Sequence, residues 1–123
     1  MDHLHVNDVS LVGRITAEPL CKPLPSGAEL VQWRMFVKRP PEKWHGLTTG
    51  DSVPCISFDP TFHELVAGWR RGDLVEVRGA LRRRVWRTPE GAMASRYDVE
   101  VSDVGLMVPR AAPERTSASP GRP

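Results

Sequence analysis

The sequence predicts an all-β protein: a small five-stranded barrel with one helix between its third and fourth strands. Three observations predict it. Runs of strand composition recur at Val9–Ile15, Leu30–Lys38 and Val75–Trp86, the last two alternating with the period of two that a strand requires. Turn residues separate the runs, notably Pro25-Ser26-Gly27 and Thr88-Pro89-Glu90-Gly91. Only the segment after Asp59 carries helical spacing. The 123 residues fit one domain (1–108) and a tail (109–123). A hydrophobic fraction of 40% is enough to fold the bulk of them.

The first strand, Val9–Ile15, contains Gly13. A glycine inside a strand predicts a bulge or tight bend, which lets one strand serve both halves of a small barrel. Pro19 to Ala28 reads as a loop with a tight turn at Pro25-Ser26-Gly27. In the second strand, Leu30–Lys38, one face carries Val31, Trp33, Met35 and Val37. The other carries Gln32, Arg34, Phe36 and Lys38.

Arg39 to Asp51, with Pro40-Pro41 and Trp44, reads as a long exposed hairpin loop. Val53–Phe58 is the third strand, and Pro54 points to an edge or a bulge. Asp59 caps the helix and Pro60 suits its first position. Phe62, Leu65, Val66 and Trp69 then form one apolar stripe. Arg70 and Arg71 complement the helix dipole, and Gly72 ends the helix. Val75–Trp86 is the fourth strand. Tyr97–Val101 is the fifth, with a resumption at Gly105–Val108 as an option. From Pro109 the chain has no periodicity and reads as a disordered tail.

The fourth strand organises the rest. One parity, Val75, Val77, Gly79, Leu81, Arg83 and Val85, belongs on a core. The other ends in Arg82, Arg84 and Trp86. Guanidinium groups neutralise phosphates and an indole stacks on bases, so this outer row fits a single-stranded nucleic acid. Net charge is only +2 with pI ≈ 8.8. The positive charge is concentrated at Arg70-Arg71 and Arg82-Arg83-Arg84, and clustering matters more than the total.

Other classes find little support. No apolar run approaches the roughly 18 residues of a membrane helix, and Met1 to His5 lacks the start of a secretory signal. A soluble cytoplasmic protein without membrane contact is the expectation. Cys21 and Cys55 have no disulfide or metal spacing; they read as a loop thiol and a buried small hydrophobe. His3 and His5 read as unliganded. No phosphate loop or catalytic spacing is visible. A hydrolase built on Cys55 and His63 lacks a base-plus-orienter arrangement, so neither an enzyme nor a cofactor is expected. Trp33 and Trp69 read as core. Phe58 and Phe36 are open between core and binding, and Arg70 and Arg71 between capping and contact.

The order β-β-β-α-β-β is that of an OB-fold, a Greek-key barrel. From Asn7 to Val108 the chain resembles the bacterial single-stranded DNA-binding proteins. The resemblance rests on Asn7-Asp8-Val9-Ser10-Leu11-Val12-Gly13-Arg14, Pro25-Ser26-Gly27, Asp51-Ser52-Val53-Pro54, Arg70-Arg71-Gly72 and Val77-Arg78-Gly79-Ala80-Leu81 leading to Trp86. It implies an OB barrel, usually a homotetramer, that binds single-stranded DNA without much sequence preference in replication, recombination and repair. It implies Trp86, Phe58 and Trp44 as base-stacking aromatics and Arg82 and Arg84 as phosphate contacts. Beside them, the cationic face of the second strand offers Arg34, Phe36 and Lys38. Ser52 stands where the family commonly has a tryptophan, and the tail ends Ser119-Pro120-Gly121-Arg122-Pro123 instead of in an acidic tip. An accessory paralogue is therefore implied, without partner recruitment through such a tip. An OB barrel that has lost DNA binding and docks on the replication machinery is the alternative, and RNA as ligand stays open.

Overall fold

A computed structural model describes residues 4–108. The tail from Pro109 and the residue His3 lie outside them. Six strands form one sheet: β1 (Val9–Ile15), β2 (Leu20–Pro23), β3 (Glu29–Lys38), β4 (Gly50–Ser57), β5 (Leu74–Arg87) and β6 (Met93–Val108). The order β1-β5-β6-β4-β3-β2 is closed into a barrel by a further β1–β3 pairing. All partners are antiparallel except β4 and β6, which meet in parallel at Cys55↔Val99 and Ile56↔Glu100. This closed sheet has the OB layout expected.

Gly13 marks the closure. β1 pairs with β5 from Val9 to Arg14 and with β3 at Arg14 and Ile15. A Cβ on Gly13 would collide with the Phe36 carbonyl oxygen, so the strand that serves both neighbours needs a glycine there. Gly79 plays the same part between β5 and β6. Its missing Cβ leaves room for the Glu100 carbonyl at a register shift that leaves Ser102 unpaired on β6.

The core comprises Ile15, Val31, Trp33, Met35, Cys55, Val66, Trp69, Val75, Val77, Val99 and Val101. Trp33 and Trp69 meet edge to face with ring centroids 5.6 Å apart, an arrangement the ring quadrupole favours. Both lie in the core, as their apolar neighbours in the sequence predict.

Several expectations are corrected. Leu20–Pro23 is a strand, not loop: it pairs with Glu29–Gln32 of β3, and the turn at Leu24–Ala28, with Gly27 at φ 90°, joins the two. The barrel strands thus number five with β2 as an added edge. The helix is shorter than its stripe. A 3-10 turn at Pro60–Phe62 runs into α1 (His63–Ala67). Asp59 caps it by accepting from the Thr61 backbone N–H at 3.0 Å, and this holds the Asp59 carboxyl below its usual range. Leu65 is exposed, whereas Trp69 reaches the core from the turn beyond the helix. Gly72, at φ 96°, belongs to that later turn, where its N–H donates to the Ile15 carbonyl, and does not end the helix. β6 runs unbroken through Tyr97–Val101 and Gly105–Val108.

The largest correction concerns the inner parity of β5. Val75 and Val77 are fully buried, but Leu81 and Val85 are each 46% exposed. β5 pairs with β1 only as far as Gly79, and β6 pairs with β4 only at Val99 and Glu100. Arg82–Arg87 and Met93–Asp98 therefore form a two-stranded arm projecting past the barrel.

Candidate nucleic-acid interface

Residues directly opposite in a ladder share a face. Arg82↔Asp98, Arg84↔Arg96 and Trp86↔Ala94 are such pairs, so the front of the arm carries three arginines, a tryptophan and Asp98. Glu100, opposite Ala80, continues this face and sits beside Ile56 of β4. From Ile56 the face passes to Gln32, and along β3 and β4 to the pairs Arg34↔Pro54, Phe36↔Ser52 and Lys38↔Gly50. One outer surface thus crosses β5, β6, β4 and β3.

It carries an open recess of about 430 Å³ lined by Ile56, Phe58, Arg84, Val85, Trp86 and Arg96. Trp86 is 44% and Phe58 40% exposed, and both leave ring surface free for stacking. Phe58 follows the last residue of β4 and keeps the parity of Ile56. The Arg84 guanidinium lies 5.5 Å from its ring centroid, within cation–π range. A second recess, lined in part by Gln32, Arg34, Pro54, Ile56, Arg96 and Asp98, adjoins the first through Ile56 and Arg96.

The arginines already hold carboxylates. Arg82 Nε donates to Glu100 Oε1 at 3.3 Å. Arg84 reaches Asp98 Oδ2 through Nε and Glu100 Oε1 through Nη2, both at 3.3 Å. Arg96 Nε is 3.9 Å from Asp98 Oδ2. Asp98 is buried, and a buried carboxylate needs such cations. Three arginines against two carboxylates leave this patch cationic, and Glu100, unlike Asp98, binds through a partly exposed side chain.

The remaining predicted residues spread along the same face. Arg34 donates to Ser52 Oγ at 3.2 Å. Phe36 and Lys38 line a separate recess with Val12, Gly13, Arg14 and Leu74, so they do not join the Trp86 cluster. Trp44 sits in the β3–β4 loop. Its Nε1 donates to the Arg39 carbonyl at 3.0 Å, while the Arg39 guanidinium clamps Asp51 with contacts of 2.9 and 2.6 Å. That hydrogen-bonded pair holds the Asp51 carboxyl below its usual range. Trp44 and Phe58 flank opposite ends of β4, whose eight residues span about 25 Å. The structure adds Arg96, Ile56, Asp98 and Glu100 to the residues singled out from sequence.

Nucleophilic chemistry finds no footing at Cys55. Burial, followed by the nearby Asp98 charge, pushes its thiol up to about 12, opposite to a reactive cysteine. His63 Nε2 faces the Ser57 carbonyl at 3.2 Å.

Known proteins resemble this chain in sequence and fold. The model of the Single-strand binding protein family matches residues 6–107. The single-stranded DNA-binding protein of Halalkalibacterium halodurans is 26% identical over 105 residues, covering 85% of this chain and 62% of that protein. Single-stranded DNA-binding protein A of Bacillus subtilis is 25% identical over 105 residues, and this chain spans 61% of its length. Protein B of the same organism is 28% identical over 104 residues, with 85% of this chain and 92% of that one covered. Among solved structures, the Plasmodium falciparum SSB in complex with ssDNA superposes with a TM-score of 0.71 at 21% identity, covering 84% of this chain and 96% of that one. This likeness shows the shared fold.

Proposed function

The chain belongs to the Single-strand binding protein family, and from that premise we propose that it binds single-stranded DNA, largely without sequence preference, across β5, β6, β4 and β3. The observation that carries the reading is the pair of open rings, Trp86 and Phe58, on one recess with Arg84 and Arg96. Bases stack on the rings, which accept any base because every base has a π-face. Arg84, Arg82, Arg96 and Arg34 meet the phosphates, and Lys38 and Phe36 extend the track. Trp44 offers a further platform at the far end of β4. No bond is made or broken: the protein sheathes the strand and opposes hairpins during replication, recombination or repair in the cytoplasm.

A homo-oligomer, a tetramer by family resemblance, fits the exposed apolar residues Val12, Leu106 and Val108; light scattering reads its mass. Titration with oligo-dT of increasing length tests the binding. Affinity should rise with length to a plateau at the site size, and absence of binding at every length would overturn the reading.

A second reading, an OB barrel that docks on replication proteins and binds DNA weakly, is favoured by one observation. Glu100 and Asp98 occupy the Arg82 and Arg84 groups that phosphates would use. The salt dependence separates the two: log affinity should fall with log salt by about 0.7 per phosphate neutralised, and a slope near zero supports docking.

A further inference from the structure

We propose that the back of the β5–β6 arm is a second single-stranded DNA contact, separate from the front recess; this rests on the DNA-binding reading above. The back face consists of the opposed pairs Leu81↔Val99, Arg83↔Tyr97, Val85↔Ser95 and Arg87↔Met93. Beyond Val99 it is open: Tyr97 is 57% exposed and Met93 60%, beside the half-exposed Leu81 and Val85. Alternation along β5 predicts a core face here, yet no described segment covers it.

Its charge tells what does. The front of the arm and its continuation set three arginines against Asp98 and Glu100. The back sets Arg83 and Arg87 against no carboxylate. Arg83 has no ion-pair partner among the described residues, and Arg87 donates only to the Gly91 carbonyl, at 2.9 Å. The back therefore carries more uncompensated positive charge than the front.

A second copy of this chain seated there face to face would add its own Arg83 and Arg87 to the same interface, with no carboxylate on the paired back-face positions of either copy to compensate them. A polyanion supplies that compensation. An exposed phenol ring directly across from a free guanidinium offers what the front offers with Trp86 and Arg84: stacking beside a phosphate contact. The arm is a single ribbon thick, so a strand leaving the front recess can pass around its edge and continue on the back.

The test compares a short oligo-dT, about 8 nucleotides, with one of about 30, since single OB folds engage ~4–16 nucleotides. Fluorescence anisotropy reads both on the full chain, with circular dichroism confirming the fold of each variant. Arg83→Ala/Tyr97→Ala should leave the short oligo unaffected and weaken the long one about tenfold. Tyr97→Phe, which keeps the ring, should bind the long oligo as the wild type does. Long-oligo affinity unchanged in the double variant overturns the proposal while leaving the front site standing. So does a fall in oligomer mass by light scattering without loss of long-oligo binding, which would make the back an interface between copies. Failure of the wild type to bind either oligo overturns the underlying DNA-binding reading itself.

Discussion

The Arg84 guanidinium stands 5.5 Å from the centre of the Phe58 ring, so the two groups proposed to meet phosphate and base lie side by side. Trp86, two residues on along the same face of β5, lines the same recess. Trp86→Ala should weaken binding of every oligonucleotide sequence by about 1–3 kcal/mol. Isothermal calorimetry on dT, dC and dA oligomers measures it, and a loss confined to one base would point to specific readout.

Glu100 bridges Arg82 and Arg84, so in the proposed phosphate contact it competes with the strand for both. Glu100→Gln should therefore raise affinity for oligo-dT at low salt and steepen the salt slope by up to about 0.7 for each arginine freed. Binding isotherms at several salt concentrations read this directly. Lower affinity would show that Glu100 chiefly positions the arginines.

Trp69 fills the centre of the barrel against Trp33 although it lies outside the helix. Trp69→Ala should cost about 3–5 kcal/mol of stability, measured by urea unfolding. Trp44→Ala, on the exposed loop, should leave the unfolding midpoint nearly unchanged.

Cys55 is buried and its thiol is pushed up to about 12, whereas Cys21 is exposed. A thiol reagent at neutral pH should label Cys21 quickly and Cys55 only after unfolding. The sign of the pH effect follows. Above the ordinary cysteine value of about 8.5 the unfolded chain loses this proton and the folded chain keeps it. Stability contributed by the neutral thiol should thus fall as pH rises from there toward 12. Urea midpoints in Cys55→Ser, compared with wild type from neutral pH upward, isolate the effect.

Alternation identified the faces of β3 and β5 because side chains reverse at every residue whatever the tertiary setting. It does not show how far the barrel extends: Leu81 and Val85 keep the core parity but lie past Gly79, where β1 stops covering β5. β2 escaped because Pro19 and Pro23 bracket it, and prolines are tolerated on an edge strand such as this. Asp59 and Pro60 marked the helix start correctly. The stripe through Trp69 overstated its length, because a turn can bury a residue as well as a helix can. Arg96, Asp98 and Glu100 lie far from Arg84 in sequence yet beside it across the ladder. Counting outward from the Thr88–Ala92 pair that closes the turn matches Trp86 with Ala94 and Arg84 with Arg96, whereas counting from Thr88–Gly91 slips the register by one.

The central claim is that open rings on this face receive unpaired bases. Of four tryptophans, Trp33 and Trp69 are buried while Trp86 and Trp44 are each 44% exposed. Intrinsic fluorescence on addition of poly-dT is therefore the most direct measurement. Emission should be quenched in the wild type, with the larger share of the quenching lost in Trp86→Phe. Emission unchanged by saturating poly-dT would contradict the account.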